Sequence, residues 1–461
     1  MLNPEEHQGE WWRPEEPTHR IHGTLRFADD AFDLTLSGPL FEATITPGVS
    51  RPIGTWEDVP VVHGLVGSTE MTLLGVQGFS FGFPDAIVTE VWHTDVALIG
   101  GHVDADTLYD HVAIGTEHLE EFAQAPFPHP AVARSSDGTL EKIVLALERA
   151  VVISEAIEGQ GTVELTLEPS LHTAGHSAEA ALDGRLTFTP EAPFDRDAAF
   201  ATAMTMRDLV RLATCCRCAL TSVMLRRAVD SAPIRFLRRT TALGHERCEG
   251  GRRGRLLFGA LSLPAGASPI GRWWSMRAHY LPAFGLLTSL DDAQAPYVGE
   301  RFALFARAIE TLHSLDLPPP TLAGEERDER VARVLAVVPG DLYDWAQRRL
   351  EGSSPPKFRH QVMEVIAALG PAGLRLCGGN PEGFAAAVTT TRNAVTHPTQ
   401  KLGRAALDTH GQFWVGSALY WIGHGYLALN LGIAAEDLDA RLGLLPQSGE
   451  LADRMAQRFS G

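Results

Sequence analysis

The pattern of apolar and polar positions differs between the two halves of the chain. Between residues 23 and 167, short segments such as Phe32–Leu36 and Val163–Leu167 alternate apolar and polar side chains and are interrupted by Gly, Pro and Asp. A period of two is typical of strands that bury one face. We therefore predict a sandwich or barrel in this region, whereas residues 140–152 fit either an amphipathic helix or a strand.

A second β-rich subregion continues to about residue 270 and contains one predicted helix near residues 202–227. The apolar stretch Leu209–Leu225 is predicted to lie in that helix. Its cysteines, together with a histidine and a cysteine downstream, raise the alternative of a zinc site: Cys215, Cys216, Cys218, His245 and Cys248. Adjacent cysteines lack the C-x2–4-C spacing of structural zinc sites, and small buried thiols are ordinary core residues. No metal site is predicted.

Beyond Trp273 the apolar positions recur with helical spacing. The predicted helices cover Glu300–Leu315, Arg327–Val338, Leu342–Leu350, Phe358–Leu369, Gly383–His397 and Gln412–Leu431. The fold class is therefore α+β, with a β-rich, sandwich or barrel-like N-terminal region followed by an all-α region. We place the first domain at residues 1–290, with a possible break near residues 170–200, and the second at residues 291–461.

One apolar segment, Phe413–Ile433, contains no Asp, Glu, Lys or Arg and is long enough to span a bilayer. It carries His424 and Asn430, however, and it lacks a basic flank. We therefore predict a buried helix of the helical domain and no membrane contact.

Composition indicates a globular protein of the reducing cytoplasm. The chain has 461 residues, 44% hydrophobic content and an odd number of cysteines, five, so a disulfide framework is not expected. The first residues have neither a basic nor an apolar segment typical of a secretory signal. Composition thus argues against a secreted protein.

The net charge of −18 is unusual for a protein that binds nucleic acid, but the charge is unevenly distributed. Between residues 204 and 280, arginines far outnumber acidic residues. Within this stretch, Arg252, Arg253 and Arg255 lie in a glycine-rich turn that can contact a phosphate backbone. The alternative, that these arginines pair with the acidic surplus elsewhere, stays open.

Candidate chemistry lies in the run Arg392-Asn393-Ala394-Val395-Thr396-His397. The guanidinium of Arg392 matches two oxygens of a phosphate, and the imidazole of His397 can exchange a proton near neutral pH. Asn393 can position either the phosphate or the imidazole through hydrogen bonds. These groups suffice to cleave RNA without a metal, because a ribose 2′-hydroxyl can supply the nucleophile.

Five residues along a helix turn a side chain by roughly 140° beyond a full turn, so Arg392 and His397 do not share a helical face. Pro398 disfavours helical geometry at His397, so the helix is expected to end there and to release the ring. Alternatively, two copies of the motif meet across a two-fold axis.

Several short motifs, in order along most of the chain, resemble those of the ApeA-type anti-phage proteins. The N-terminal motifs are Gly9–Pro14, His22–Leu25, Leu34–Gly38, His63-Gly64 and Met71–Leu74, and the C-terminal ones are Arg272–Trp274, Arg301–Leu304, Ala308–His313 and Arg392–His397. In that family a β-rich N-terminal region precedes a HEPN (higher eukaryotes and prokaryotes nucleotide-binding) helical domain. Arg392 to His397 match the R-N-x-x-x-H signature of HEPN ribonucleases.

The resemblance implies a metal-independent endoribonuclease that acts in abortive infection, with RNA as substrate, a phage-derived trigger, no cofactor and a homodimer or higher oligomer. Arg392, His397 and Asn393 would be catalytic. Glu310 and His313, three residues apart on one helical face, would support them, although an ordinary surface pair is equally compatible. Two other classes stay open: a non-catalytic HEPN sensor that binds RNA or a partner, and a ligand-binding β-sandwich that the helical domain dimerises.

Overall fold

The fold is given by a computed structural model, which describes residues 5–27, 32–41, 55–80, 89–124, 131–134, 140–144, 149–174, 177–228, 230–239, 256–262, 269–289, 297–316, 324–351, 358–396, 406–444 and 446–459. The chain divides into two compact units. The first comprises residues 1–211 and 218–251, and the second comprises residues 212–217 and 252–461. The domain boundaries drawn from the sequence stay a prediction.

The first unit consists mainly of strands. They are β1 (Glu5–Trp12), β2 (Ile21–Phe27), β3 (Phe32–Leu36), β4 (Thr55–Val66), β5 (Thr69–Ser80), β6 (Glu90–Thr94), β7 (Val96–Ile99), β8 (His111–Thr116), β9 (Ala131–Arg134), β10 (Leu140–Val144), β11 (Ala150–Ile157), β12 (Gly161–Ala174), β13 (Ser177–Pro190), β14 (Leu220–Arg226) and β15 (Ile234–Arg238). Among the described residues, two helices accompany them, α1 (Leu119–Ala123) and α2 (Arg196–Thr214).

Six of the described strands close into a barrel in the order β5-β4-β1-β2-β3-β6, because β6 pairs back onto β5. The sheet continues from β5 through β7, β15, β14, β8, β13, β12 and β11. Strands β9 and β10 form a separate antiparallel hairpin. The predicted β-rich, barrel-like N-terminal region is therefore confirmed.

The barrel core follows from the alternation in its strands. Phe32, Leu34 and Leu36 of β3 are all buried, while the intervening residues are not. Trp11 fills the space above Gly64, where a Cβ atom would overlap the indole ring. Close packing of this kind explains why a glycine occurs within strand β4.

Two sequence predictions in this unit have definite outcomes. In the segment that fitted either a helix or a strand, residues 140–144 form β10 and residues 150–152 begin β11. The prediction of a single helix across Leu209–Leu225 is wrong, because α2 ends at Thr214 and β14 begins at Leu220. Cys215 adopts a left-handed conformation with φ of 47°, which ends the helix, and the following residues then alternate in burial as a strand does.

The second unit is helical. Its helices are α3 (Pro269–Thr288), α4 (Val298–Asp316), α5 (Gly324–Leu335), α6 (Tyr343–Glu351), α7 (Phe358–Ala368), α8 (Pro371–Leu376), α9 (Pro381–Thr396), α10 (Thr409–Asn430), α11 (Ala435–Leu444) and α12 (Pro446–Phe459), with a 3-10 turn at Gly340–Leu342. The predicted helical C-terminal region is confirmed. Helices α3, α8, α11 and α12 were not among the predicted helices.

Helix α10 supplies much of the core of this unit. Residues from Gly411 to Ala428 are buried on several sides of the helix, and α10 packs against α4. The prediction that Phe413–Ile433 contains a buried core helix is therefore confirmed for α10. Among the described residues, no helix has the length and apolar character needed to cross a membrane.

Candidate functional site

Arg392 lies near the end of α9, at the edge of the buried face of that helix. Phe384, Val388 and Thr391 recur at helical spacing and are buried. Arg392 follows Thr391 and therefore lies at the edge of this buried face. The guanidinium donates a hydrogen bond of 2.8 Å from Nη2 to Oε2 of Glu310 and lies over the Phe358 ring, 5.2 Å from its centroid. The Arg392 side chain keeps 28% of its surface exposed.

Glu310 belongs to α4, which packs against both α7 and α9. The arginine therefore meets a carboxylate from one neighbouring helix and an aromatic face from another. Ion pairing and the cation–π contact both restrain the direction of the guanidinium. Arg392 has five N–H groups, and those not bonded to Glu310 have no hydrogen-bond partner among the described residues.

His313 follows Glu310 by three residues, but its side chain is buried and contacts a different group. Its Nε2 donates a hydrogen bond of 2.5 Å to Oε2 of Glu364 on α7. The other oxygen of Glu364 lies 3.0 Å from Nε2 of His360. One carboxylate thus joins two imidazoles, and the Nδ1 atom of His313 is buried without a partner in the described part of the chain.

The structure thus brings Glu310 to Arg392, whereas His313 lies against Glu364. Sequence reasoning missed Glu364 and His360. Glu364 and His360 are four residues apart on a predicted helix, so they are neighbours on its surface, and this spacing could have identified them as a pair. The Arg392–Glu310 pair and the His313–Glu364–His360 group are thus two separate sets of contacts, on three helices that pack against each other.

Of the other predicted site residues, the structure describes only Asn393. Asn393 is half-buried on α9, about 100° around the helix from Arg392. His397 lies outside the described residues, as do Arg252, Arg253 and Arg255. The geometry between Arg392 and His397 is therefore a matter of prediction.

The cysteines and the arginine-rich stretch are described only in part. In the described ranges, no three His, Cys, Asp or Glu side chains are arranged to hold a metal ion. Cys215 and Cys216 are half-buried and Cys218 is buried, while Cys248 and His245 are outside the described residues. Some arginines of the basic stretch pair with acids: Arg207 with Asp208 at 2.6 Å, and Arg239 with Asp95 at 3.0 Å.

Comparison with protein families gives two matches. Residues 6–243 match the model described as ApeA N-terminal domain 1, and residues 304–437 match the model described as Apea-like HEPN. The second match includes Glu310, His313, Glu364 and Arg392. No curated protein and no solved structure matches the chain.

Proposed function

The chain belongs to the ApeA family, and we propose that it is a metal-independent endoribonuclease of anti-phage defence. An Apea-like HEPN domain indicates a nuclease or other RNA-related role within ApeA-type defence. RNA is the proposed substrate and a phage component the proposed trigger. We further propose abortive infection as the outcome, a homodimer or higher oligomer as the active form, and the cytoplasm as its location.

The observation that carries this proposal is the placement of Arg392. Its guanidinium is partly exposed, held in direction by Glu310 and Phe358, and able to donate further hydrogen bonds. A guanidinium fixed in this way suits the planar recognition of two phosphate oxygens. Because the guanidinium is already oriented, it can stabilise the charge that develops on those oxygens without having to move.

The proposed reaction needs one proton acceptor and one stabilising cation. His397 accepts the proton of the ribose 2′-hydroxyl as that oxygen attacks the adjacent phosphorus. The bond from phosphorus to the 5′-oxygen breaks, and the leaving oxygen takes up a proton from the protonated imidazole or from water. Arg392 stabilises the phosphate oxygens, and Asn393 positions the phosphate or the imidazole. The products carry a 2′,3′-cyclic phosphate and a 5′-hydroxyl.

Incubation of the purified full chain with single-stranded RNA in excess chelator tests this chemistry. We expect cleavage to continue, with cyclic phosphate ends, and we expect a 2′-O-methylated strand of the same sequence to stay intact. Loss of cleavage in chelator with recovery on adding magnesium would refute metal independence. Cutting of the 2′-O-methylated strand or of DNA would refute attack by the 2′-oxygen.

A second candidate function is that of a non-catalytic HEPN module that binds RNA or a partner. The ion pair between Arg392 and Glu310 favours it, because a carboxylate that already neutralises the guanidinium can serve a structural purpose. In that case the wild-type protein would bind RNA without cutting it under any activating condition. Substitution of Arg392 would then lower the free energy of unfolding, and neither wild type nor the variant would cleave RNA.

A further inference from the structure

A pocket of about 210 Å³ lies between α10 and α12, in the helical unit. Its lining is rich in arginine and aromatic side chains: His410, Trp414, Arg454, Met455, Gln457 and Arg458. Arg392 and Asn393 are not among its described lining residues. Its composition combines two permanent cations with a large aromatic surface.

The two helices present these side chains by simple periodicity. His410 and Trp414 are four residues apart near the start of α10, and Arg454 and Arg458 are four residues apart near the end of α12. Residues at that spacing lie on one face of a helix, and α10 and α12 pack together. The aromatic pair of one helix therefore meets the arginine pair of the other.

Contacts inside the pocket orient its aromatic wall. Nε1 of Trp414 donates a hydrogen bond of 3.0 Å to Nε2 of His410, which fixes the indole and leaves Nδ1 as the protonated nitrogen of the neutral imidazole. The guanidinium carbon of Arg454 lies 5.5 Å from the centre of the Trp414 ring. A flat group entering this pocket would find an oriented aromatic surface next to a cation.

The two arginines are only weakly engaged by carboxylates. Arg454 lies 3.6 Å from Glu450, which is 59% exposed, and Arg458 lies 3.4 Å from Asp408, which is 72% exposed. Ion pairs at such exposed positions contribute little and are readily exchanged. Asp408 also accepts the amide hydrogen of Gly411 and so caps α10 itself. The positive charge of the pocket thus comes from α12.

The pocket is close to the R-N-x-x-x-H motif. The buried amide of Leu407 donates a hydrogen bond of 2.9 Å to Oγ1 of Thr391, the residue before Arg392. His410 is three residues beyond Leu407, within roughly 11 Å of it along even a fully extended chain. The start of the pocket is therefore connected to the residue before Arg392 through one hydrogen bond and three residues of chain.

We propose that this pocket binds one nucleotide of a single-stranded RNA, with its base stacked on Trp414 and a phosphate between Arg454 and Arg458. This inference rests on the proposed function, because it makes the pocket a subsite for the RNA that Arg392 contacts. Stacking on an aromatic side chain together with arginine contacts to phosphate is how proteins commonly bind unpaired nucleotides. Such a subsite favours single strands, since a paired base cannot reach the indole.

Binding of a fluorescent 2′-O-methylated single-stranded oligonucleotide to the full chain tests this proposal, because the probe cannot be cleaved by a 2′-oxygen. Trp414→Ala should weaken binding by about 5- to 150-fold, and Trp414→Phe, which keeps an aromatic face, should recover most of it. The double variant Arg454→Gln, Arg458→Gln should weaken binding and lower the slope of log affinity against log salt by about 1.4. Arg333→Gln, on α5 outside the pocket, is the matched control and should bind as wild type.

Wild-type affinity in both Trp414→Ala and the double arginine variant would overturn the inference. Loss in the arginine variant alone would also overturn it, since an acidic peptide or any other anion needs no base stacking. The two proposals fail separately. If wild type cuts RNA and the pocket variants bind RNA as wild type does, only the subsite proposal is wrong. If wild type cuts no RNA but the pocket variants lose RNA binding, only the ribonuclease proposal is wrong.

Discussion

The guanidinium of Arg392 donates a hydrogen bond of 2.8 Å to the carboxylate of Glu310, a residue 82 positions earlier in the chain. This pair joins α4 to α9 at the point where the predicted catalytic run begins. Because Glu310 uses only one of the arginine's N–H groups, the pair can direct the guanidinium towards a phosphate. Glu310 is thus a positioning residue in our account.

Glu310→Gln should lower the rate of RNA cleavage by about 10- to 100-fold, because a misdirected guanidinium no longer meets the transition state in the right geometry. The decrease should appear in kcat more than in KM. The matched control is Glu300→Gln, an exposed glutamate at the start of α4, which should cleave at the wild-type rate. Faster cleavage by Glu310→Gln would show that Glu310 instead restrains Arg392.

His313 should matter for stability. Its buried ring makes a charge-assisted hydrogen bond to Glu364, so His313→Ala should lower the free energy of unfolding of the helical unit by about 2 to 4 kcal/mol. His360 bonds to the same carboxylate but is 61% exposed, so His360→Ala should cost less than about 1 kcal/mol. Urea denaturation followed by circular dichroism measures both. Equal effects would contradict the assignment of His313 to the core.

Local patterns predicted many elements of this fold. Strand β3 was predicted with its observed bounds because one face of it is buried, and each proposed helix beyond Trp273 corresponds to an observed one. Closure of the barrel was beyond such reasoning, since it also depends on pairing between strands distant in sequence, β3 with β6 and β1 with β4. Helix α12 was missed although Leu451, Met455 and Phe459 are buried at a spacing of four residues.

The candidate site was predictable only in part. Arg392 and Glu310 were both selected from sequence, and the structure brings them into contact, while their catalytic roles stay predictions. His313 was selected for the same helical face, but burial and the partner Glu364 give it a different environment. Spacing along one helix cannot reveal which residue of a neighbouring helix lies opposite, and this explains the omission of Glu364.

In the barrel, the stacked rings of His63 and His102, 4.4 Å apart, give a dependence of stability on pH. Burial lowers the pKa of His63 below its usual 6.5, and the charge of His102 lowers it further, against opposing contributions from the Val103 carbonyl, Asp104 and Glu15. The unfolded chain therefore binds a proton at a higher pH than the folded chain does. The contribution of His63 to the stability of the first unit is fully present above about pH 6.5 and is lost as pH decreases from there towards the lowered pKa.

His63→Gln should remove this component. We expect the urea midpoint of wild type, followed by tryptophan fluorescence, to fall between about pH 7.5 and about pH 5.5 by more than that of the variant. Trp12 packs edge-on against both imidazoles and provides a local signal. An identical pH dependence in the two proteins would show that His63 does not contribute.

Assembly of the active site across two chains makes a separate prediction. If Arg392 of one chain and His397 of another face a single phosphate, inactive Arg392→Ala and His397→Ala proteins should regain activity when mixed, provided that subunits exchange. Labelled subunits establish the exchange. A mixture that exchanges and stays inactive would favour a site completed within each chain.

The central claim is that Arg392 and His397 carry out RNA cleavage, and single-turnover cleavage by the two alanine variants beside wild type tests it most directly. His397→Ala should slow cleavage by roughly 10²- to 10⁴-fold and Arg392→Ala by roughly 10²- to 10³-fold, because the variants lose a general base and a stabilising cation. Arg392→Ala should melt within a few degrees of wild type, since its partly exposed ion pair with Glu310 contributes no more than about 1 kcal/mol. His397→Ala, at a predicted helix end, is expected to do the same. Cleavage at the wild-type rate by both folded variants would contradict the account.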